Sequence, residues 1–164
     1  MTNPLACVRE LFKITADTEK DTTITVHISD TTKMRFEEID AVYIATPNTL
    51  HFEQTIMALQ NGKHVLCEKP FAMNSGEVRS MVDASKSNNV ALLEGMWTRY
   101  LPHIDIIRGL LNKNLIGDVQ SVFACHGQDL THSTNPRLWT KELGGGALLD
   151  LGIYVVSLAH MVLG

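Results

Sequence analysis

From Asp40 onward the chain alternates short apolar runs with amphipathic segments. "DAVYIAT" is rich in β-branched and aromatic residues and is closed by Pro47, so it predicts a buried strand. Residues from about 49 to 61 predict a helix, with Leu50, Ile56, Met57 and Leu59 apolar and Gly62 ending it. "KHVLCE" predicts a second strand. Asn74 followed by Glu77 has the spacing of a capping box and predicts a helix to about Asn88. "VALLEG" predicts a third strand. After Gly95 the pattern changes to a helix near 101–113, a strand over "DVQSVFACHG" and a long polar loop through "THSTNPRLWTKELGGG". An apolar helix follows from about Ala147 to Leu163.

Strand, helix, strand, helix, strand with short connections predicts a parallel sheet with right-handed crossovers. The fold class is therefore α/β: an incomplete Rossmann-type parallel sheet, followed by the start of an α+β second domain. The boundary falls near residues 95–102, giving a dinucleotide-binding part over 1–98 and a second part over 99–164. The first 39 residues fit less well. "TTITVHI" reads as a strand and "KMRFEEI" as a short helical piece, but all eleven glycines lie at or after Gly62. A dinucleotide fold normally opens with a strand, a Gly-rich turn and a helix, because backbone must approach the pyrophosphate closely. Gly144–Gly146 follows a polar loop and does not replace that turn. Asp30 stands where a ribose-reading acid would lie, but too few residues separate it from Asp40 to hold the intervening helix and strand.

Composition narrows the field. The chain has 164 residues, 45% hydrophobic and 20% charged, as expected of an ordinary globular protein. A net charge of -4, with Lys and Arg scattered, offers no basic stripe for nucleic acid or anionic membrane. No apolar run approaches the roughly 18 residues of a membrane span, and "MTNPLACVRELFK" lacks the basic-then-apolar pattern, so no secretory signal is expected. Cys7, Cys67 and Cys125 are odd in number and widely spaced, predicting free thiols in a reducing compartment, with cytoplasm the default. No histidine has a second ligand at metal spacing, so no metal site is expected.

Four segments, "DAVYIATPNTLHFE", "ALQNGKHVLCEKPFA", "EGMWTRYLP" and "GGGALLDLGIYVVSLAHMVLG", resemble the glucose–fructose oxidoreductase and inositol dehydrogenase family, Gfo/Idh/MocA. Their "WTRY" and "DLGIY" versions resemble the branch of trans-dihydrodiol and xylose dehydrogenases. The resemblance implies NAD or NADP as cofactor. It also implies hydride transfer to or from a hydroxyl carbon of a sugar, cyclitol or dihydrodiol, and it allows a homo-oligomer. It places Lys69, whose peptide bond to Pro70 is typically cis in the family, at the substrate hydroxyl, with Asp150 and Tyr154 completing the catalytic group. A lysine base near neutral pH needs burial or a cationic neighbour. Thr46, Pro47, Asn48, His51, Glu68, Lys69 and Pro70 fall at cofactor-facing positions, and Trp97 and Arg99 at substrate-facing ones.

Plainer readings stand beside these: Lys69 as a solvated turn residue, Asp150 as a lysine partner with Tyr154 in the core, Trp97 as packing, His51 at the surface. Relatives carry more chain at both ends, so the expectation is a fragment. The missing glycine turn predicts weak binding of NAD(P), and a truncated non-catalytic member, sensor or inactive, is the alternative to an enzyme.

Overall fold

The computed structural model describes residues 40–164. "TTITVHI", "KMRFEEI" and Asp30 lie outside the described residues. Three strands form one parallel sheet in the order β1 (Ala41–Ile44), β2 (His64–Cys67), β3 (Leu92–Glu94). Ala41 pairs with His64, and Val65 with Leu92. Val42 and Ile44 on β1, and Val65 and Cys67 on β2, point to the same buried side, as the two-residue period of a strand requires. Helix α1 (His51–Gln60) covers that side with Ala58 and Leu59. Helix α2 (Ser75–Ser87) adds Met81, which has no exposed surface.

Local chemistry sets where the helices stop. The Gly62 N–H donates to the Leu59 carbonyl and that of Lys63 to the Ala58 carbonyl, with Gly62 at φ +70, which closes α1 in a Schellman turn. Asn89 (φ 52) does the same after α2, and Asn114 (φ 54) after α3 (Pro102–Asn112). Asparagine tolerates this left-handed conformation better than most residues. At the other end of α2, the Asn74 side chain accepts from the Glu77 N–H at 3.0 Å, while Glu77 accepts from the Met73 N–H at 2.9 Å. The expected capping box is present, with its return bond moved one residue upstream.

The second part differs from expectation at "DVQSVFACHG". No strand forms there among the described residues, and Phe123 is 95% exposed. A strand needs a neighbouring strand to share its ladder of hydrogen bonds, and no described strand pairs with this segment, which lies instead against the apolar helix near the carboxyl end. The polar loop contains a short helix α4 (Pro136–Trp139), capped by Asn135, and a 3₁₀ turn over Lys141–Leu143. The apolar helix near the carboxyl end opens with a π-helical turn, Leu148–Gly152, and continues as α5 (Ile153–Leu163). By length and composition Lys141–Leu163 is apolar enough to cross a membrane, at a mean hydropathy of 1.8. Counting apolar runs alone misses this, because glycines and single polar residues interrupt the runs. Asp150, ion-paired to residues outside that segment, ties it to the sheet instead. Val156 and Leu163 on its far side are more than half exposed.

Cys67 gives a direct check on the core. Burial pushes its thiol up to about 12, and the carboxylates of Glu94 and Glu68 add to this against a contact from Thr55 that lowers it. Thiolate is the reactive form. In a Cys7→Ser background, a thiol reagent at mildly alkaline pH is expected to titrate exposed Cys125 at once and Cys67 only on unfolding. Rapid reaction of both thiols in the native state would contradict this packing.

Candidate active site

The carboxyl ends of β1 and β2 lie side by side, and the chain leaves both through proline-containing turns. Open α/β sheets present ligands at this edge. After β2 the backbone turns through a cis Lys69–Pro70 peptide. Lys69 Nζ then reaches across to the π-helical turn and donates to the Asp150 carbonyl at 2.7 Å and to its Oδ1 at 2.8 Å. Both side chains are mostly buried, at 13% and 14% exposure, so the pair is shielded better than a surface salt bridge. Arg137 Nη1 approaches the same Oδ1 at 3.3 Å. Nothing in the residue pattern had pointed to Arg137, because the contact depends on how the polar loop folds back.

Burial alone would raise the Asp150 carboxyl, but Lys69 and Arg137 outweigh it and hold the group below the usual carboxylate range. A lowered folded value stabilises the fold above the unfolded value of about 3.9, and that contribution fades as pH falls through the folded value. The stability difference between the parent and Asp150→Asn is therefore expected to shrink as urea titrations move from neutral pH to below about pH 4. A difference that grows on acidification would refute this sign.

Tyr154, one turn beyond Asp150, sits with its ring centroid 4.9 Å from Lys69 Nζ. The indole N–H of Trp97 donates to its hydroxyl at 3.0 Å, and the two rings meet edge to face at 6.0 Å. His126 stacks on Tyr154 at 5.0 Å. It too was missed from sequence, since it lies in the segment expected to be a strand. Lys69, Asp150, Tyr154 and Trp97 thus come together. Arg99 lines two flanking clefts, one of about 310 Å³ with Phe71 and Glu94, the other of about 440 Å³ shared with Tyr154.

The residues expected to face a cofactor separate into two groups. His51 is fully buried, its Nδ1 2.8 Å from the Pro70 carbonyl and its Nε2 2.9 Å from that of Thr46. It is therefore neither a surface histidine nor open to a ligand, and it ties the β1 turn to the β2 turn. Asn48 is also buried and donates to the Gly144 carbonyl at 2.9 Å, and the Thr46 hydroxyl is taken up by Gln54 at 2.7 Å. Glu68 accepts from the Tyr43 hydroxyl and from the Lys69 N–H. Burial first, then that bond to Glu68, pushes Tyr43 up to about 12. Pro47 and Lys69 stay partly exposed at this edge, while Pro70 is buried behind them.

Gly144, φ +74, lies so close to Asn48 and Met73 that a Cβ would stand 2.9 Å from each. Gly144 thus lets the segment bearing Arg137 and Asp150 close onto the sheet edge, while Gly145 packs against the backbone of its own loop. The β1 and β2 turns, with Lys69, Asp150 and Tyr154 beside them, are where the described residues could hold the nicotinamide end of a dinucleotide. The β1 turn "ATPNTL" has no glycine to cradle a pyrophosphate.

A family model described as an oxidoreductase family with an NAD-binding Rossmann fold matches residues 7–96, and its C-terminal-domain companion matches 104–164. The chain belongs to the Gfo/Idh/MocA family. The first match begins ahead of Asp40, where the sequence resemblance starts. Gfo/Idh/MocA relatives include the trans-1,2-dihydrobenzene-1,2-diol dehydrogenase of Xenopus laevis, 46% identical over 125 residues covering 76% of this chain and 37% of that protein. The scyllo-inositol 2-dehydrogenase (NADP(+)) of Bacillus subtilis is 42% identical, covering 76% of this chain and 39% of that protein. A 3-ketoreductase from Actinomadura kijaniata, solved with NADP, superposes with a TM-score of 0.65 at 29% identity, over 78% of this chain and 39% of that one. The chain thus spans less than two-fifths of these Gfo/Idh/MocA relatives.

Proposed function

We propose that this chain carries the proton-handling half of an NAD(P)-dependent oxidoreductase acting on a hydroxyl carbon of a small polyol, sugar, cyclitol or dihydrodiol. The observation that carries the reading is Lys69, held by Asp150 and covered by the Tyr154 ring, at the carboxyl edge of a parallel sheet. A bound nicotinamide would take or return the hydride; the protein's part is orientation and proton transfer.

In the oxidation direction the substrate C–H leaves with its electron pair, and the hydroxyl proton must pass to the protein. Lys69 Nζ, as the free amine, is the group able to receive it at this edge, and the Tyr154 hydroxyl can relay it only by giving up its own proton in the same step. Asp150 supplies charge and two acceptor oxygens that hold the ammonium once formed, and Arg137 holds Asp150. In the reverse direction the same ammonium and hydroxyl donate to a carbonyl oxygen. The odd cysteine count and an unpaired, buried Cys67 support a reducing, cytoplasmic setting.

The test uses a chimaera in which residues 40–164 replace the matching stretch of the Xenopus laevis dehydrogenase. Measurable reduction of NAD⁺ or NADP⁺ with a dihydrodiol or an inositol supports the reading. A folded chimaera that binds cofactor yet transfers no hydride to or from any such substrate would overturn it.

A further inference from the structure

Trp97 does more than wall the site. Indole carries an N–H donor and no acceptor, so in its 3.0 Å contact the Tyr154 oxygen must be the acceptor. The hydroxyl hydrogen is then turned away from Trp97. One face of the Tyr154 ring is covered by Lys69 Nζ at 4.9 Å, and His126 stacks on the ring at 5.0 Å. Two of the three Lys69 N–H groups are already given to Asp150. Hydroxyl direction and ring position are thus set by three neighbours from separate parts of the chain: the β2 turn, the 3₁₀ turn Trp97–Tyr100 and the extended segment around His126.

We propose that Trp97 is a positioning residue that fixes Tyr154 as a hydrogen-bond donor toward the reacting oxygen, while Lys69 is kept against the ring by Asp150. The proposal deepens the oxidoreductase reading and rests on it for the identity of the reacting oxygen. A residue that merely lined a substrate pocket would need bulk and not an N–H group. A positioning residue needs the donor.

Nuclear magnetic resonance on the full chain separates the two, with no need for turnover. Tyr154→Phe is expected to move the Trp97 indole N–H resonance upfield and to speed its exchange with water about fivefold, the loss of one ordinary hydrogen bond. Trp97→Phe is expected to weaken the nuclear Overhauser contact between the Tyr154 ring and the Lys69 methylenes. Trp97→His, which keeps a ring N–H, is expected to restore it. Trp97 is 55% exposed, so these variants remain folded, as backbone spectra will report. An indole resonance indifferent to Tyr154→Phe, or a Tyr154–Lys69 contact equally strong in Trp97→Phe, would overturn the proposal. Failure of the chimaera to transfer hydride would instead strike the oxidoreductase reading and leave these spectra unchanged.

Discussion

Gly144→Val is expected to destabilise the protein by roughly 2–5 kcal/mol, with the loop over residues 137–146 lifting off the sheet edge. Two costs combine. At φ +74 a side chain with a Cβ meets backbone repulsion of about 1–2 kcal/mol, more for a β-branched one. The new Cβ would also stand 2.9 Å from both Asn48 Cβ and Met73 Sδ, and forcing atoms into a filled space costs typically about 1–3 kcal/mol. Gly62→Ala is the matching control, because it shares the conformation (φ +70) but has nothing within 4 Å of the added atom. It should lose only the backbone part, about 1 kcal/mol. Urea titrations of both variants give the comparison. Equal losses would show that close packing at Gly144 contributes nothing.

Periodicity carried the first half of the fold because each element there is stabilised locally or by its sequence neighbour. Val42, Ile44, Val65 and Cys67 alternate with more exposed residues, and each helix ends where Gly or Asn permits a left-handed turn. "DVQSVFACHG" has equal β propensity but no strand beside it, and a ladder cannot be read from one segment. The site was legible to the same degree. Lys69, Asp150 and Tyr154 could be named because "EKP" and "DLGIY" resemble motifs of the family, and spacing alone would not have joined the lysine to the other two. Arg137, His126 and the buried role of His51 were not legible, since each depends on the path of a loop or turn. The π-helical turn at Leu148–Gly152 escaped as well: Asp150 and Tyr154 share a face in either helix type, so a four-residue spacing does not distinguish them. π turns gather at functional sites, and here the turn holds the residue whose carbonyl and carboxylate both receive Lys69.

Lys69→Met, tested in the chimaera with the Xenopus laevis dehydrogenase, is expected to lower turnover by at least about 100-fold while cofactor affinity stays nearly unchanged. Methionine keeps the length and volume of the lysine stem, so the turn beside it need not repack. It has no proton to give or accept, so the loss falls on the chemical step. The Arg137–Asp150 contact survives the substitution, so the carboxylate keeps one cationic partner. Asp150→Asn should fall less, because its backbone carbonyl still accepts from Lys69 and only the charge is lost. Tyr154→Phe orders the two proton carriers: a smaller loss than Lys69→Met makes the lysine the principal group, a larger one the tyrosine. Turnover by Lys69→Met within about threefold of its parent would remove Lys69 from the chemistry. The lysine would then serve only to pin the π-helical turn to the sheet edge through Asp150.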